Sequence, residues 1–263
     1  MIAFENPLGF VARTELEKAA FGHGYRLHDG EQEGWLHRSS TTARGRLWLA
    51  AGSDHGPWLL SLERPEVAAE LGLVPCAAPL GPGASTFAFA TLAELYTALD
   101  RAYQLGVSLP TAPLEEFHKA TAALPKSTEA EQLIVRRVGQ ELFRKALMSY
   151  WKGRCPLTGI TDPALLRASH IVAWADCESD AERLDVHNGL LLSALWDAAF
   201  DQGLVSFSDE GHVLASPALS PEARAALGLE HSGQLTGLTD AHCQNLARHR
   251  EKHGFADGAA HAG

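Results

Sequence analysis

Residues 155–207 are the part of the sequence that most narrows the possible fold, because polar side chains stand at the ends of two strand-like apolar runs. The first run ends at His170, and the second opens at Asn188. A short helix-like segment follows with Asp197 and Asp201, which are four residues apart and therefore share one side of a helix. This order of strand, loop, strand and helix predicts a metal-dependent phosphodiesterase site.

The chemistry of phosphodiester hydrolysis explains why these residue types matter together. A water molecule must lose a proton, and a histidine can accept it near neutral pH because its ordinary pKa is about 6.5. The charge that develops on the phosphate and on the leaving oxygen must be neutralised, and a divalent cation held by oxygen ligands does this. Each residue also has a structural interpretation: His170 as a hydrogen-bonded core histidine, Asn188 as part of a turn, and the two aspartates as surface acids.

Residues 155–207 resemble the HNH endonucleases, and the resemblance implies a ββα fold with a bound metal. It makes His170 the general base and Asn188 a residue that holds the loop between the strands or contacts the metal. Asp197 takes the third position of the motif, on the helix, as a metal ligand, and Asp201 one turn later is a further ligand. The expected cofactor is a divalent ion, Mg²⁺ in the first place, with Mn²⁺ and Ni²⁺ as alternatives.

The sequence departs from the family pattern at three places. Ser169 stands where many members carry a metal-binding acid or histidine, and Trp196 stands beside Asp197 where relatives have histidine. Cys155 has no second cysteine two residues on, so no structural zinc is expected. The turn that begins at Cys155 and the segment that ends at Phe207 resemble the branch found in bacterial restriction-type nucleases, which implies host defence.

Positive charge is concentrated just before this motif. The chain has a net charge of −10, which argues against a protein that simply coats DNA, but residues 126–154 hold seven basic and three acidic residues. A nuclease can be acidic overall if a local basic strip meets the phosphates. We therefore expect Arg144 and Lys145 to contact DNA, with a solvated charged helix as the alternative. We expect the same of Arg167, which shares a strand face with Ser169.

The rest of the sequence predicts an α+β protein with an N-terminal mixed α/β recognition domain and a C-terminal ββα-metal nuclease domain. Short runs that contain tryptophan alternate with Gly, Ser and Thr in the first third and predict strands. Pro110, Pro113 and Pro125 predict a linker. Thr128 begins a capping box that opens a helix running to about Tyr150, with an apolar face that repeats every four residues from Ile134. The apolar runs on either side of residues 208–211 predict a hairpin after the motif. The predicted boundaries are 1–115 for the recognition or regulatory domain, 116–127 for the linker, 128–254 for the nuclease domain with its preceding basic helix, and 255–263 for a disordered tail.

The N-terminal region offers a second set of DNA contacts. Residues 37–46 are rich in hydroxyl groups and include Arg38, Arg44 and Arg46. Such a loop can grip phosphates, and the neighbouring Trp35 or Trp48 could stack on an exposed base. The alternative is a polar loop above a core that holds both tryptophans. We expect this region to select a DNA sequence or a modified base.

The chain carries no apolar run long enough to span a bilayer, no secretory signal and no disulfide-type cysteine spacing, so a reduced cytoplasmic protein is expected. The expected partner is double-stranded DNA, with no membrane; a homodimer is left open, since palindromic cutting requires two copies. Two other functions stay open. One is a DNA-binding module that keeps the fold without cleaving, and the other is a nuclease gated by a ligand or protein that the N-terminal domain senses.

Overall fold

The computed structural model describes residues 5–77, 81–125, 127–231 and 233–255. Within them, helices and strands occur in both parts of the chain, which confirms the α+β class. The chain divides into two compact units, residues 1–112 and 113–263. The predicted tail, residues 255–263, lies outside the described residues except for Phe255.

The first unit is built around a five-stranded antiparallel sheet with the strands in chain order. Of its three inner strands, the second and third in chain order, Leu47–Ala51 and Trp58–Leu62, are buried along their whole length. The elements are α1 (Phe10–Gly22), β1 (Leu27–Gln32), β2 (Trp35–Ser39), β3 (Leu47–Ala51), β4 (Trp58–Leu62), α2 (Pro65–Glu70), β5 (Ser85–Phe89) and α3 (Leu92–Ser108).

The tryptophans of this sheet belong to its core. Trp35 and Trp48 are buried and cluster with Ala50 and Leu59. They are therefore not placed to stack on a base, and of the two interpretations of this region the core role is confirmed.

The loop between β2 and β3 is fastened to α3. The Arg44 backbone N–H donates to the Gly106 carbonyl at 2.9 Å, and the hydroxyls of Thr42 and Tyr103 lie 2.7 Å apart. This polar loop is consequently held in place at its far end, with Arg44 and Arg46 exposed.

Residues 116–121, the first half of the predicted linker, belong to a helix. Helix α4 spans Thr111–Thr121. Pro113 falls in its first turn, where the missing N–H has no partner to lose, so the proline does not break the helix. Residues that connect α4 to the next helix are therefore few.

The second unit contains two separate two-stranded antiparallel sheets in its described part. The predicted hairpin after the motif is confirmed by the pairing of its two strands. The elements are α4, α5 (Glu129–Tyr150), β6 (Leu166–His170), α6 (Asp180–Arg183), β7 (Gly189–Ser193), α7 (Ala194–Asp201), β8 (Val205–Phe207), β9 (Val213–Ala215), α8 (Pro221–Leu227) and α9 (Asp240–His253).

Helix α5 opens with the predicted capping box. The Thr128 hydroxyl accepts from the Glu131 N–H at 3.3 Å, and the Glu131 carboxylate accepts from the Thr128 N–H at 2.9 Å. The buried face lies in the second half of the helix and centres on Phe143 and Leu147. Ile134, predicted as part of the apolar face, is 53% exposed, because only the second half packs on β6 and β7.

No helix in the described part of the chain is both long and apolar enough to cross a bilayer.

Candidate active site

The predicted ββα arrangement is present. Strands β6 and β7 pair antiparallel with His170 opposite Gly189, and α7 begins directly after β7. Successive strand residues point to opposite faces, so Ser169 and His170 project to different sides of β6. The site therefore has two sides, one with His170 and one with Ser169.

His170 is held by three groups on its side of β6. Its Nε2 lies 2.9 Å from the Arg183 carbonyl oxygen, its ring stacks on Phe143 with the centroids 3.8 Å apart, and the Trp174 ring meets it edge-on at 5.5 Å. A carbonyl oxygen can only accept, so in the neutral ring Nε2 carries the hydrogen and Nδ1 keeps its lone pair.

The protonation state of His170 follows from these surroundings. Burial lowers the pKa of His170 to about 4, and the hydrogen bond to the Arg183 carbonyl opposes this shift without reversing it. The ring is therefore neutral at physiological pH, with Nδ1 able to accept a proton.

Asn188 is fully buried and ties together the loop between β6 and β7. Its Oδ1 accepts from the Val172 N–H at 2.8 Å. Its Nδ2 donates to the Val172 carbonyl at 3.2 Å and to the Glu182 carbonyl at 3.3 Å, and it lies 3.4 Å from the Cys177 sulfur. Both ends of the amide are engaged with the loop, which is the first of the two roles that the resemblance implied.

Gly189 follows Asn188 for a reason that differs from a turn. A Cβ at this position would lie 2.5 Å from the Phe143 ring and 2.8 Å from the Leu147 side chain. The glycine lets α5 approach the first residue of β7, and this approach brings Phe143 against His170.

The acid pair, Asp197 and Asp201, lies with Ser169 on the other side of β6. The Ser169 hydroxyl donates to Asp201 Oδ1 at 3.2 Å. Desolvation raises the pKa of both carboxyls, and the charge of Asp201 raises that of Asp197 further. The Ser169 hydroxyl opposes the shift at both acids, and Arg167 opposes it at Asp197. Within the described residues no basic side chain forms an ion pair with either carboxylate.

This donor set fits a hard divalent cation. Mg²⁺ is commonly held by one or two carboxylates, with water and phosphate oxygens completing its shell. Asp197 and Asp201 would be those carboxylates, and a cation between them would remove the repulsion that raises the pKa of Asp197. The described residues include no group of three or more His, Cys, Asp or Glu side chains that could hold a metal ion.

The predicted DNA contacts on the second unit already have partners within the protein: two arginines donate to backbone carbonyls, and the lysine pairs with an acid. Arg144 donates to the carbonyls of Leu166 and Pro163, both at 2.8 Å, and so fixes the approach to β6. Lys145 is exposed and lies 3.0 Å from Glu116. Arg167 is exposed, and one of its guanidinium nitrogens donates to the carbonyls of Ala164 at 2.8 Å and Leu166 at 3.0 Å. Its charge lowers the pKa of Asp197.

In the first unit, the structure corrects one predicted contact. Arg38 is 6% exposed and pairs with Glu17 at 3.2 Å, because its position on β2 points into the protein rather than toward solvent. Arg46 pairs with Glu63 at 2.8 Å on the surface. Only Arg44 and Arg46 of this set are therefore accessible to a phosphate.

Three contacts of His170 could not be found by motif matching. Phe143 lies 27 residues before it, Trp174 lies in the loop, and Arg183 contributes a backbone atom. One indirect signal existed: Gly139 stands inside a helix, where it costs about 1 kcal/mol relative to alanine. A Cβ there would lie 2.5 Å from the Trp174 ring, so the glycine marks this contact.

Comparison with known proteins agrees with the geometry. Residues 155–208, about a fifth of the chain, match the family model described as HNH endonuclease. The matched segment contains β6, β7 and α7 with the loop between the strands, and the match indicates a nuclease. No curated protein matches the chain significantly.

Proposed function

We propose that this chain, which carries an HNH endonuclease domain at residues 155–208, is a metal-dependent endonuclease that hydrolyses phosphodiester bonds in double-stranded DNA. The observation that carries the proposal is the state of His170. Its Nε2 is committed to a carbonyl, and its Nδ1 keeps a lone pair that can accept a proton. A neutral, oriented imidazole is what a general base requires.

The residues of the site divide the work between them. Nδ1 of His170 takes the proton from the attacking water, and Asn188 holds the loop that keeps the ring in place. Asp197 and Asp201 would hold a divalent ion, which when bound supplies Lewis-acid stabilisation of the charge on the phosphate oxygens. Magnesium suits the carboxylate ligands, and manganese and nickel are the other ions to test.

In this proposal, DNA is contacted by basic side chains that are accessible to solvent. Arg136 and Arg137 lie on the exposed first half of α5, and within the described residues neither forms an ion pair. Arg136 precedes Phe143 by two helical turns, or about 10 Å along the axis, so it lies on the same side of α5 as the ring that stacks on His170. Together with Arg167 beside Asp197, these arginines can contact phosphates on either side of a scissile bond.

A restriction-like role in host defence, with residues 1–115 selecting a sequence or a modified base, completes the proposal. The exposed arginines of the β2–β3 loop support it, since this loop is anchored on α3 and presents Arg44 and Arg46 to solvent. A cytoplasmic location belongs to the same proposal, and palindromic cutting would further require a homodimer.

Plasmid nicking by wild type and His170→Ala tests the activity, with EDTA, Mg²⁺, Mn²⁺ and Ni²⁺ compared on modified and unmodified DNA. We expect metal-dependent nicking that falls by about 10² to 10⁴-fold in the variant, the range attributed to a general base. His212→Ala, which removes an exposed histidine of the same unit, is the matched control and should cut like wild type. Equal nicking by His170→Ala and wild type would contradict the role of His170.

The second candidate is a DNA-binding module that does not cleave. It is favoured by one observation, that the described residues supply two ionisable ligands rather than three. It predicts duplex binding that His170→Ala leaves unchanged and no nicking with any of the metals. Nicking that appears only after an activator is added would instead favour a nuclease gated through the first unit.

A further inference from the structure

Arg183 touches the general base and the loop around it at the same time. Its backbone carbonyl accepts the Nε2 hydrogen of His170 at 2.9 Å. Its guanidinium donates to the Trp174 carbonyl at 3.2 Å, to the Cys177 carbonyl at 2.5 Å and to the Asp180 carboxylate at 3.2 Å. The side chain therefore closes residues 174–183 into a ring whose last carbonyl is the one that His170 binds.

Arg183 also acts on the His170 ring indirectly, through its contact with Trp174. The guanidinium carbon lies 5.9 Å from the centroid of the Trp174 ring, and that ring meets His170 edge-on. Phe143 stacks on the His170 ring itself. Arg183 thus supports two of the three groups that surround His170, one through its own backbone and one through Trp174.

These three hydrogen bonds require an arginine, because they depend on the planar, forked shape of the guanidinium. Three different guanidinium nitrogens reach three acceptors in three directions. A lysine ammonium is a point charge on a flexible stem and has no rigid fork, so it cannot reproduce this geometry. Asn188 fastens the loop at Val172, at Glu182 and at the Cys177 sulfur, and it does not bond to the carbonyls that the guanidinium binds.

We propose that Arg183 is a positioning residue that fixes the tautomer and the orientation of His170, and thereby keeps Nδ1 as the atom that accepts the proton. This proposal rests on the proposed function, since it assigns Arg183 a part in the same reaction. Its structural content is independent of activity, because a ring whose Nε2 partner moves is free to exchange tautomers whether or not the protein cuts DNA.

The experiment combines ¹⁵N NMR of the His170 ring with plasmid nicking, on the full chain of wild type, Arg183→Ala and Arg183→Lys. We expect wild type to show the Nε2–H tautomer and both variants to show a mixture. Nicking should fall about 10- to 100-fold in kcat with little change in KM, the loss expected when a catalytic group is misplaced. The metal-induced rise in Tm should persist, because the acid pair lies on the other side of β6.

Arg224→Ala is the matched control. Arg224 also donates from two guanidinium nitrogens to backbone carbonyls, those of Leu219 and Ser216, and is similarly buried in the same unit. Its removal should leave the His170 tautomer and kcat as in wild type. If Arg183→Ala does not fold, Arg183→Lys carries the test.

The outcomes separate the two proposals. An unchanged Nε2–H tautomer in both folded Arg183 variants, or in Arg183→Lys when it alone folds, overturns the positioning role. A mixed tautomer together with wild-type kcat also overturns it, because the fixed ring would then not matter for the reaction. If wild type itself does not nick DNA, the proposed function fails, and the NMR comparison still decides whether Arg183 fixes the ring.

Discussion

The two sides of strand β6 differ in electrostatics: one holds a buried neutral imidazole, and the other holds two neighbouring carboxyls. On the His170 side, the imidazole is surrounded by Phe143, Trp174 and a carbonyl oxygen. On the Ser169 side, two like-charged carboxyls lie one helical turn apart with a single hydroxyl between β6 and α7. The first side is complete without any added group, whereas a bound cation would stabilise the second by offsetting the repulsion between the carboxylates.

The pKa shifts make the stability contributed by the two sides of β6 depend on pH in opposite directions. The pKa of His170 is lowered to about 4 in the folded state, so the stability that its neutral ring contributes is present above its ordinary pKa of about 6.5 and is lost as the pH falls toward 4. The pKa values of Asp197 and Asp201 are raised, so the stability they contribute is present at low pH and is lost as the pH rises through their folded values. At neutral pH, His170 is therefore in the protonation state that stabilises the fold, whereas the ionised forms of Asp197 and Asp201 destabilise it.

The largest expected effect comes from neutralising the acid pair. Asp197→Asn with Asp201→Asn should abolish metal-dependent nicking and metal binding. In wild type, a cation at about 100 times its Kd stabilises the folded state by about 2.7 kcal/mol, which corresponds to a rise in Tm of roughly 5–10 °C. Thermal unfolding with Mg²⁺ and with EDTA should show this rise in wild type and none in the double variant.

The same variant should reverse the order of stability without metal. In EDTA at pH 7 the double variant should unfold at a higher temperature than wild type, because the repulsion between Asp197 and Asp201 is gone. Asp162→Asn, an exposed acid of the same unit, serves as the control and should leave both the Tm and the metal response unchanged. A double variant that still responds to Mg²⁺ would place the metal elsewhere.

A smaller effect is expected from removing the ring that stacks on His170. Phe143→Leu keeps an apolar side chain but admits water to the imidazole, so the pKa of His170 should rise by about one to two units from its value of about 4. An NMR titration of the His170 ring measures this rise. The acid limb of the nicking rate should move to higher pH in the same variant.

His249 provides the internal comparison for this measurement. Its ring stacks on Phe200 with the centroids 4.0 Å apart, and burial lowers its pKa to about 4 as well. Phe143→Leu should leave the titration of His249 as in wild type. If both histidines shift together, the change reflects a general loosening of the unit rather than exposure of His170.

Sequence spacing could predict the parts of the site that lie within one local segment. The four-residue interval between Asp197 and Asp201 and the alternation of β6 placed the acid pair and His170 on their elements. Sequence could not predict the loop contacts, because Arg183 acts partly through a backbone atom and carries no motif. The bonds of Asn188 to Val172 and Glu182 likewise depend on how the intervening chain folds back.

Helix α5 shows where periodicity alone misleads. A repeat of apolar residues every four positions predicted a buried face that included Ile134, whereas the buried positions centre on Phe143 and Leu147. Periodicity identifies an amphipathic helix but does not say which part of it meets a partner. The same limit applies to charge, since the excess of basic residues in 126–154 did not distinguish Arg144, bound to carbonyls, from the exposed Arg136.

The smallest expected effect tests that distinction along the same helix. Arg136→Ala with Arg137→Ala should weaken duplex binding by about three- to tenfold at physiological salt. It should also reduce the slope of log K against log salt by about 1.8, since each phosphate contact contributes about 0.9. Fluorescence anisotropy with labelled duplex over a range of salt concentrations measures both quantities.

Lys145→Ala is the control from the other half of α5. Lys145 is already paired with Glu116, and an exposed ion pair of this kind is worth little, so its loss should change binding by less than about twofold. An unchanged salt slope in the arginine double variant would show that DNA does not follow the first half of α5. An equal loss in Lys145→Ala would show that the whole helix contributes a diffuse positive field, because phosphates would then not distinguish the paired lysine from the exposed arginines.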